Sequence, residues 1–329
     1  MTSARAWIWG GLVLGLGGCG SNQSVLNPKG PDALELAHLS WLLFIGGTAI
    51  LLFVVVVAAL AIFGSPRARA AIASPNTVVW AGIAFPIVVL TALLVYGVWL
   101  TRNQQAHVAD DTAMRIDVVG EQWWWRVSYR DRQGAPIRSA NEIRMPVGRS
   151  VVFALTSADV IHNFWVPSLA GKIDMIPGRA THLRLKADQP GIFRGQCAEY
   201  CGRPHALMAF EVVALPPDEF DTWLERQAAS ADSPTAPSAQ RGRDLFLAAG
   251  CGACHTVRGT AAAGTIGPDL THLGSRRSVG IDTAAMTEDN VARFIRDGQH
   301  VKPGNLMPPF RVFAPADLAA VSAYLTGLR

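Results

Sequence analysis

Two stretches of the chain carry no charged residue, Leu39 to Phe63 and Val78 to Leu100. Each is long enough as a helix to cross about 30 Å of hydrocarbon, and a core helix of a globular protein is shorter. The pattern therefore predicts membrane helices over 38–63 and 78–100. The loop between them, 64–77, holds Arg67 and Arg69 and no acid, which places it in the cytoplasm and both outer ends outside. A third apolar stretch, Trp7–Gly18 after Arg5, is shorter and has the layout of a secretory signal. Residues 1–18 are read as that signal and 19–37 as an exterior segment; the other reading is an uncleaved membrane segment with a buried free Cys19. From Met114 to Leu215 the pattern changes to short runs rich in Val, Ile, Phe and Trp between Gly and Pro, as in Ile143–Leu155 and His182–Lys186. This predicts an antiparallel sandwich within a domain at 101–225. The small, polar, proline-bearing run Arg226–Ser238 predicts a flexible linker over 226–239. Helical periodicity in Gln240–Ala249 and Pro315–Leu328 then predicts an all-α domain at 240–329.

Composition agrees with a membrane protein, since half the residues are hydrophobic and mean hydropathy is +0.23. Net charge is +4; residues 101–226 hold 15 basic and 15 acidic side chains, and residues 240–329 hold 10 and 7. Neither domain has the strong excess that would imply nucleic acid. The chain has no internal repeat and no nucleotide-binding glycine loop.

Chemistry concentrates in Gly195–Met208, where Cys197, Cys201, His205 and Met208 follow the spacing Cys-x3-Cys-x3-His-x2-Met. Thiolate, thioether and imidazole together suit copper, whereas a hard cation wants carboxylates. A further imidazole, His162, interrupts the apolar run Val160–Pro167, which reads as strand and corner. Two bridging thiolates suit two copper ions, with His162, His205, Met208 and a backbone carbonyl as terminal ligands. The bland alternative, a Cys197–Cys201 disulfide in an oxidising compartment, leaves His205 and Met208 unexplained. Cys251-Gly252-Ala253-Cys254-His255 is the attachment pattern of a c-type haem, with His255 as proximal iron ligand. A zinc site is the alternative for the pentapeptide alone. The two flanking helical runs favour haem.

His162, Cys197, Glu199, Cys201, His205 and Met208 match one by one the dinuclear copper A (CuA) ligand pattern of cytochrome c oxidase subunit II. Pro167-Ser168-Leu169, Ile176-Pro177-Gly178-Arg179 and Gln122-Trp123-Trp124-Trp125 agree as well, so the likeness spans roughly residues 30 to 225. The last ninety residues or so resemble a class I cytochrome c. There Gly267-Pro268-Asp269-Leu270 matches the turn whose proline carbonyl orients the proximal imidazole, and Leu306-Met307-Pro308-Pro309-Phe310 matches the distal-methionine loop. Met307 is thus the expected sixth ligand, with Met286, His272 and His300 read as packing or surface residues. Leu16-Gly17-Gly18-Cys19 resembles a bacterial lipobox, which implies cleavage before Cys19 and its acylation. The five cysteines then divide as one to lipid, two to copper and two to haem.

The resemblance implies a multidomain protein of two transmembrane helices, a cupredoxin-like antiparallel β-barrel and an all-α cytochrome c domain. It implies subunit II of a haem–copper terminal oxidase of the haem-c-fused (caa-type) branch, the electron-accepting subunit of cytochrome c oxidase. Electrons from cytochrome c or another donor pass through haem c and CuA to subunit I, which reduces dioxygen to water. No histidine lies within either apolar run, so the chain offers no oxygen-reducing centre of its own. The resemblance also implies electron transfer at Trp123, a magnesium ion facing the Glu199 carboxylate at the subunit I interface, and a bacterial inner membrane with both domains on the periplasmic side. Lys172 and Asp174 are read as structural; Glu199 as a buried, ion-paired acid and Trp123–Trp125 as plain core are the bland alternatives. One departure concerns the segment before the second span. The family often carries a glutamate there, ahead of a tryptophan, whereas Ser74-Pro75-Asn76-Thr77-Val78-Val79-Trp80 has no carboxylate, and the interval from Trp80 to Pro86 is longer than usual. Two other functions fit parts of the pattern: a haem c/CuA relay to a nitric oxide reductase, and a copper chaperone. A chaperone needs a labile site and has no use for Met208, a second imidazole or a haem domain.

Overall fold

The computed structural model describes residues 23–106, 113–131, 133–280 and 284–329; the expected signal at 1–18 and Cys19 lie outside these. The chain divides into two units, Leu34–Asp111 and the rest, Met1–Ala33 with Thr112–Arg329.

The first unit is a helical hairpin. Helix α1 (Pro31–Phe63) starts earlier than the uncharged run, with proline at its first position and Asp32 in its first turn, so His38 lies inside it. Short helices α2 (Pro66–Ile72) and α3 (Pro75–Val79) begin at Ser65 and Ser74, whose side chains accept from the backbone N–H three residues on. A π-helical turn, Trp80–Ala84, joins α3 to α4 (Phe85–Ala106), and residues 75–104 form one apolar span. Pro86 has no N–H to donate to the carbonyl four residues back, and the Phe85 N–H reaches to Trp80. The lengthened Trp80–Pro86 interval is taken up in this turn. The helices are linked near their exterior ends by Asn103, which donates to Glu35 at 3.4 Å.

The second unit opens with ten strands in two five-stranded sheets. Strands β1 (Met114–Glu121), β2 (Trp124–Arg130), β3 (Pro136–Ala140), β5 (Val151–Ser157) and β8 (Thr181–Leu185) form one sheet in the order β3-β2-β1-β5-β8. Strands β4 (Glu142–Pro146), β6 (His162–Trp165), β7 (Lys172–Met175), β9 (Gly191–Cys197) and β10 (Ala209–Leu215) form the other, β4-β10-β9-β6-β7. Pairing is antiparallel except for β1 with β5 and β4 with β10, which are parallel. The cupredoxin-like sandwich is therefore mixed where purely antiparallel pairing was expected, because alternation along a strand reveals its faces but not the direction of its neighbour. Between the sheets, Trp125, Phe153, Phe164 and Phe210 are fully buried, with Phe164 and Phe210 stacked at 4.5 Å. The Trp125 indole donates to the Ala209 carbonyl at 3.2 Å, so its polar edge is satisfied inside the core. Helix α5 (Pro217–Ala228) closes one end by setting Trp223 edge-on to Tyr129 at 5.1 Å.

The helical domain packs α6 (Pro237–Ala248), α7 (Glu288–Val301) and α8 (Pro315–Gly327) around Phe246, Val291, Ile295, Val321 and Tyr324. Helix α6 crosses α8 at Gly242, where a β-carbon would sit 2.0 Å from the Ala320 carbonyl oxygen. Only glycine permits that approach. A two-residue ladder, β11 (Ser278–Val279) with β12 (Ala284–Ala285), and an isolated bridge between Thr256 and Ala263 depart from the expected all-α structure. The flexible linker expected over 226–239 is tied down instead. Helix α5 runs to Ala228 and α6 begins at Pro237, while Arg258 donates to the carbonyls of Gln227 and Ala229 and accepts from Ala231 through its own carbonyl. A distant arginine thus restrains a segment whose local composition favours freedom. Beyond the linker, Arg277 bonds Glu211 and Glu142, Arg144 bonds the Ser275 carbonyl, and Arg126 the Thr265 carbonyl, so the helical and β domains meet through a polar seam.

Candidate metal centre and haem site

Strand pairing brings the metal-binding residues together. Phe164 of β6 opposes Cys197 of β9, which sets His162 beside the last residue of β9. The chain then turns through 198–208, pinned at both ends: the Cys197 N–H donates to Met208 O at 2.9 Å and the Ala198 N–H to Asn163 O at 3.2 Å. A short helical turn, His205–Leu207, brings the second imidazole back over the loop. The result is a compact donor set. The sulfurs of Cys197 and Cys201 are 3.8 Å apart, His162 Nδ1 is 3.8 Å from Cys197 Sγ, and His205 Nδ1 is 3.4 Å from Cys201 Sγ. Met208 Sδ is 3.7 Å from Cys201 Sγ, and the Glu199 carbonyl 3.2 Å from Cys197 Sγ. His162, Cys197, Cys201 and Met208 are buried and His205 is half-buried. Both thiols are free, so a disulfide is not what holds them near each other.

Electrostatics suit a cation. The hydrogen bond shared with Cys201 outweighs burial and brings the Cys197 thiol down to about 4, while that same bond, then burial, then the Cys197 charge push Cys201 up. Burial works to lower the His162 pKa, but Cys197 and Asp159 outweigh it and raise it. A buried thiolate beside a second thiol and two imidazoles favours a bound cation. His162 Nε2 lies 2.8 Å from Asp159 Oδ1, so its N–H points at the carboxylate and Nδ1 keeps its lone pair for a metal. Asp159 Oδ2 also accepts from the Gln122 N–H at 2.7 Å. These donors fit a pair of copper ions bridged by thiolates.

The tryptophan triplet splits three ways. Trp125 is core, Trp124 lies under the Arg126 guanidinium at 4.7 Å, and half-buried Trp123 donates from Nε1 to the Cys201 carbonyl at 2.8 Å. Gln122 Nε2 donates to that carbonyl too, at 2.8 Å. Glu199 is exposed, not a buried acid. Asp174 accepts from Asn163 Nδ2 at 2.7 Å, which agrees with a structural role, and Lys172 is exposed.

A mostly apolar cavity of about 390 Å³ lies in the helical domain, bordered by Cys251, Cys254, His255 and Met307 and also lined by Gln122, Trp123 and Trp124 of the β domain. That volume falls in the range of cofactor pockets. His255 Nδ1 lies 2.8 Å from the Pro268 carbonyl, which fixes the tautomer and leaves Nε2 as the ligating nitrogen. Burial pulls the His255 pKa down, in keeping with a neutral imidazole. Met286 lies outside the cavity wall and packs against the core, His272 Nε2 donates to the Ala229 carbonyl, and His300 is exposed. The cavity with its cysteine pair, imidazole and facing thioether fits haem c.

The profile of the periplasmic domain of cytochrome c oxidase subunit II matches residues 135–215, and that of cytochrome c matches residues 239–329. Over 97% of its length the chain is 36% identical to cytochrome c oxidase subunit 2 of Alkalihalophilus pseudofirmus, covering 95% of that protein. The chain belongs to the cytochrome c oxidase subunit 2 family. It is 33% identical over 271 residues to the subunit 2 of Bacillus sp. strain PS3, spanning 77% of this chain and 74% of that one. The solved periplasmic domain of subunit II of cytochrome oxidase from Bradyrhizobium japonicum covers 35% of this chain and is itself 92% covered, at 35% identity and a TM-score of 0.33. The chain is thus subunit II of a haem–copper oxidase, with a fused class I cytochrome c domain. It carries CuA and haem c, passes electrons through them toward subunit I, and is a membrane protein with exterior domains.

Sequence reasoning missed Asp159, Gln122 and Lys302. Asp159 stands three residues before His162, a visible spacing, but the turn that aims it exists only once Ser157 Oγ bonds the Val160 carbonyl. Nothing local marks Lys302. It is 3% exposed and donates to the Trp123 carbonyl, and burial brings its pKa down to about 7.

Proposed function

We propose that His162, Cys197, Cys201, His205, Met208 and the Glu199 carbonyl hold the copper pair, and that Cys251 and Cys254 bind haem c covalently with His255 and Met307 as its axial ligands. The observation that carries this reading is the convergence of six donors, one from β6 and five from residues 197–208, into one cluster with neighbouring atoms 3.2–3.8 Å apart. When bound, both groups give and take single electrons with little change in geometry. The chain's own residues prepare for that exchange. Asp159 holds the His162 ring, the Pro268 carbonyl holds the His255 ring, the β6–β9 pairing sets Cys197 beside His162, and the loop closed by the Cys197 N–H to Met208 O bond keeps the two sulfurs 3.8 Å apart. Trp123, bonded to the Cys201 carbonyl, is the aromatic through which electrons reach the copper pair.

Four finer assignments complete the proposal. The exposed Glu199 carboxylate faces a magnesium ion at the subunit I interface. Residues 1–18 are a signal and Cys19 carries lipid. The hairpin crosses the bacterial inner membrane twice, with residues 64–77 in the cytoplasm and the CuA and haem domains in the periplasm. The donor is a cytochrome c or a similar small carrier. Metal and haem analysis of the native complex tests the central claim. Two coppers and one haem c per chain, with the copper pair lost and the haem retained in Cys197→Ser, are the expected results; retention of both coppers in that variant would sink the copper assignment.

A further inference from the structure

Lys302 ends the last turn region of α7 and lies at the junction of the two exterior domains. Its ammonium is buried and has no carboxylate partner among the described residues. A buried lysine without an ion pair is costly unless its hydrogens are bonded. The bond it makes crosses the junction, Nζ donating to the Trp123 carbonyl. Its own backbone carries the contact onward. The Lys302 carbonyl accepts from Asn305 Nδ2 at 2.8 Å, and Asn305 Oδ1 accepts from the Met307 N–H at 3.0 Å. Between them Gly304, at φ +91°, abuts the Trp123 ring and Pro204; a β-carbon there would stand 3.5 Å from Trp123 Cζ3 and 3.4 Å from Pro204 Cδ. On the other side Trp123 Nε1 reaches the Cys201 carbonyl at 2.8 Å. One connected series of bonds and close contacts therefore runs from the iron-facing methionine loop to a copper-bridging cysteine.

We propose that Lys302 is a positioning residue that seats the haem domain on the copper domain, holding the Met307 loop against the Trp123 indole so that electrons cross between the two sites without a separate docking event. The inference rests on the proposed roles of Met307 and Trp123. It goes beyond them in assigning the seat to a residue that touches neither metal. One electron passes along this route; no bond forms or breaks and no proton moves. The more exposed Arg277–Glu211 pair belongs to the outer seam, where solvent screens charge and a single bond counts for less. Lys302 instead bonds the Trp123 residue itself, and its N–H donates whether the amine is protonated or neutral.

The test uses the intact oxidase complex carrying Lys302→Met, which keeps the volume of the stem and removes the donor. Transient reduction of haem c followed by optical detection at CuA should show transfer slowed by about tenfold or more, the docked population that depends on a hydrogen bond to a charged donor. Haem absorption, including the weak sulfur-to-iron band, and the copper paramagnetic resonance spectrum should match the parent. Hydrogen exchange at residues 121–125 and 302–306 should rise together. Arg277→Gln should slow transfer less than Lys302→Met. Unchanged transfer, or loss of the sulfur-to-iron band in Lys302→Met, would overturn the assignment, the second by placing Lys302 in the support of the haem itself. A wild-type measurement guards against failure of the variant to assemble: an amine-directed reagent should label exposed Lys172 quickly and Lys302 slowly, and equal labelling would also overturn the seat. Whether Met307 ligates iron is read separately, from the sulfur-to-iron band in Met307→Leu.

Discussion

In the copper domain, ligand atoms from β6, β9 and the 198–208 loop stand within contact distance of one another, with the two sulfurs 3.8 Å apart. In the helical domain, the residues proposed to hold haem border a mostly apolar cavity of about 390 Å³. The difference follows from what each cofactor brings. Copper ions are small and take their geometry from the donors, so the protein must position each donor, and it does so with sheet hydrogen bonds and a carboxylate behind His162. Haem brings its own rigid ring of ligands, so the protein supplies an apolar hole, two points of attachment and two axial donors. A copper site can therefore be nearly complete before metal binds, whereas an apolar cavity without its occupant forfeits the packing that would have lined it.

The largest expected effect tests this contrast directly. Replacing both Cys251 and Cys254 by serine should abolish covalent haem attachment and deprive the helical domain of a cooperative thermal transition, because its core then surrounds an empty cavity. Cys197→Ser should lose the copper pair and leave the β domain folded. Calorimetry and domain-resolved hydrogen exchange separate the outcomes, and equal destabilisation of both domains would break the comparison. Next in size, Asp159→Ala should lower copper affinity by about tenfold to a hundredfold while leaving the β-domain transition in place, the usual consequence of freeing a ligating imidazole. Titration of the copper-depleted exterior domain within the purified complex reads this, and an unchanged affinity would mean that packing alone orients His162. Met307→Leu should retain haem through its thioether bonds, lose the sulfur-to-iron band and lower the haem potential. Met286→Leu should do neither. The smallest effect belongs to Met208→Leu, which removes one weak terminal ligand; copper should remain at two per chain with an altered spectrum and slower transfer.

The legible part of the site was the part written in residue type and short spacing. Cys197, Cys201, His205 and Met208 lie within one loop, and the haem attachment pattern occupies five consecutive positions, so their chemistry could be named before any fold was known. His162 stood out because an imidazole in an apolar strand is conspicuous. The helices α6 and α8 followed from periodicity, which reports the face a residue presents to a core, and the β character of 114–215 from its short apolar runs between Gly and Pro. Parallel pairing of β1 with β5 and of β4 with β10 did not follow, because strand direction depends on how the chain returns. The linker was misjudged as free for a related reason. Small polar residues set the intrinsic stiffness of 226–239, but Arg258 and His272, contributed by the next domain, set its actual restraint.

Residue order alone was enough to establish two apolar spans and the family and to nominate the copper and haem donors, since each rests on the identity of residues near one another in the chain. Tertiary structure decided which tryptophan of the triplet meets the copper loop, which carboxylate orients His162 and which lysine reaches across to Trp123. Those bonds join residues 78, 3 and 179 positions apart, and the folded arrangement of turn, strand and helix brings their partners to hydrogen-bond distance. A hydrogen bond acts over about 3 Å. Spacing along a chain reveals such contacts only when an element of regular structure converts it into distance, and for Trp123 and Lys302 that conversion required the packing of two domains.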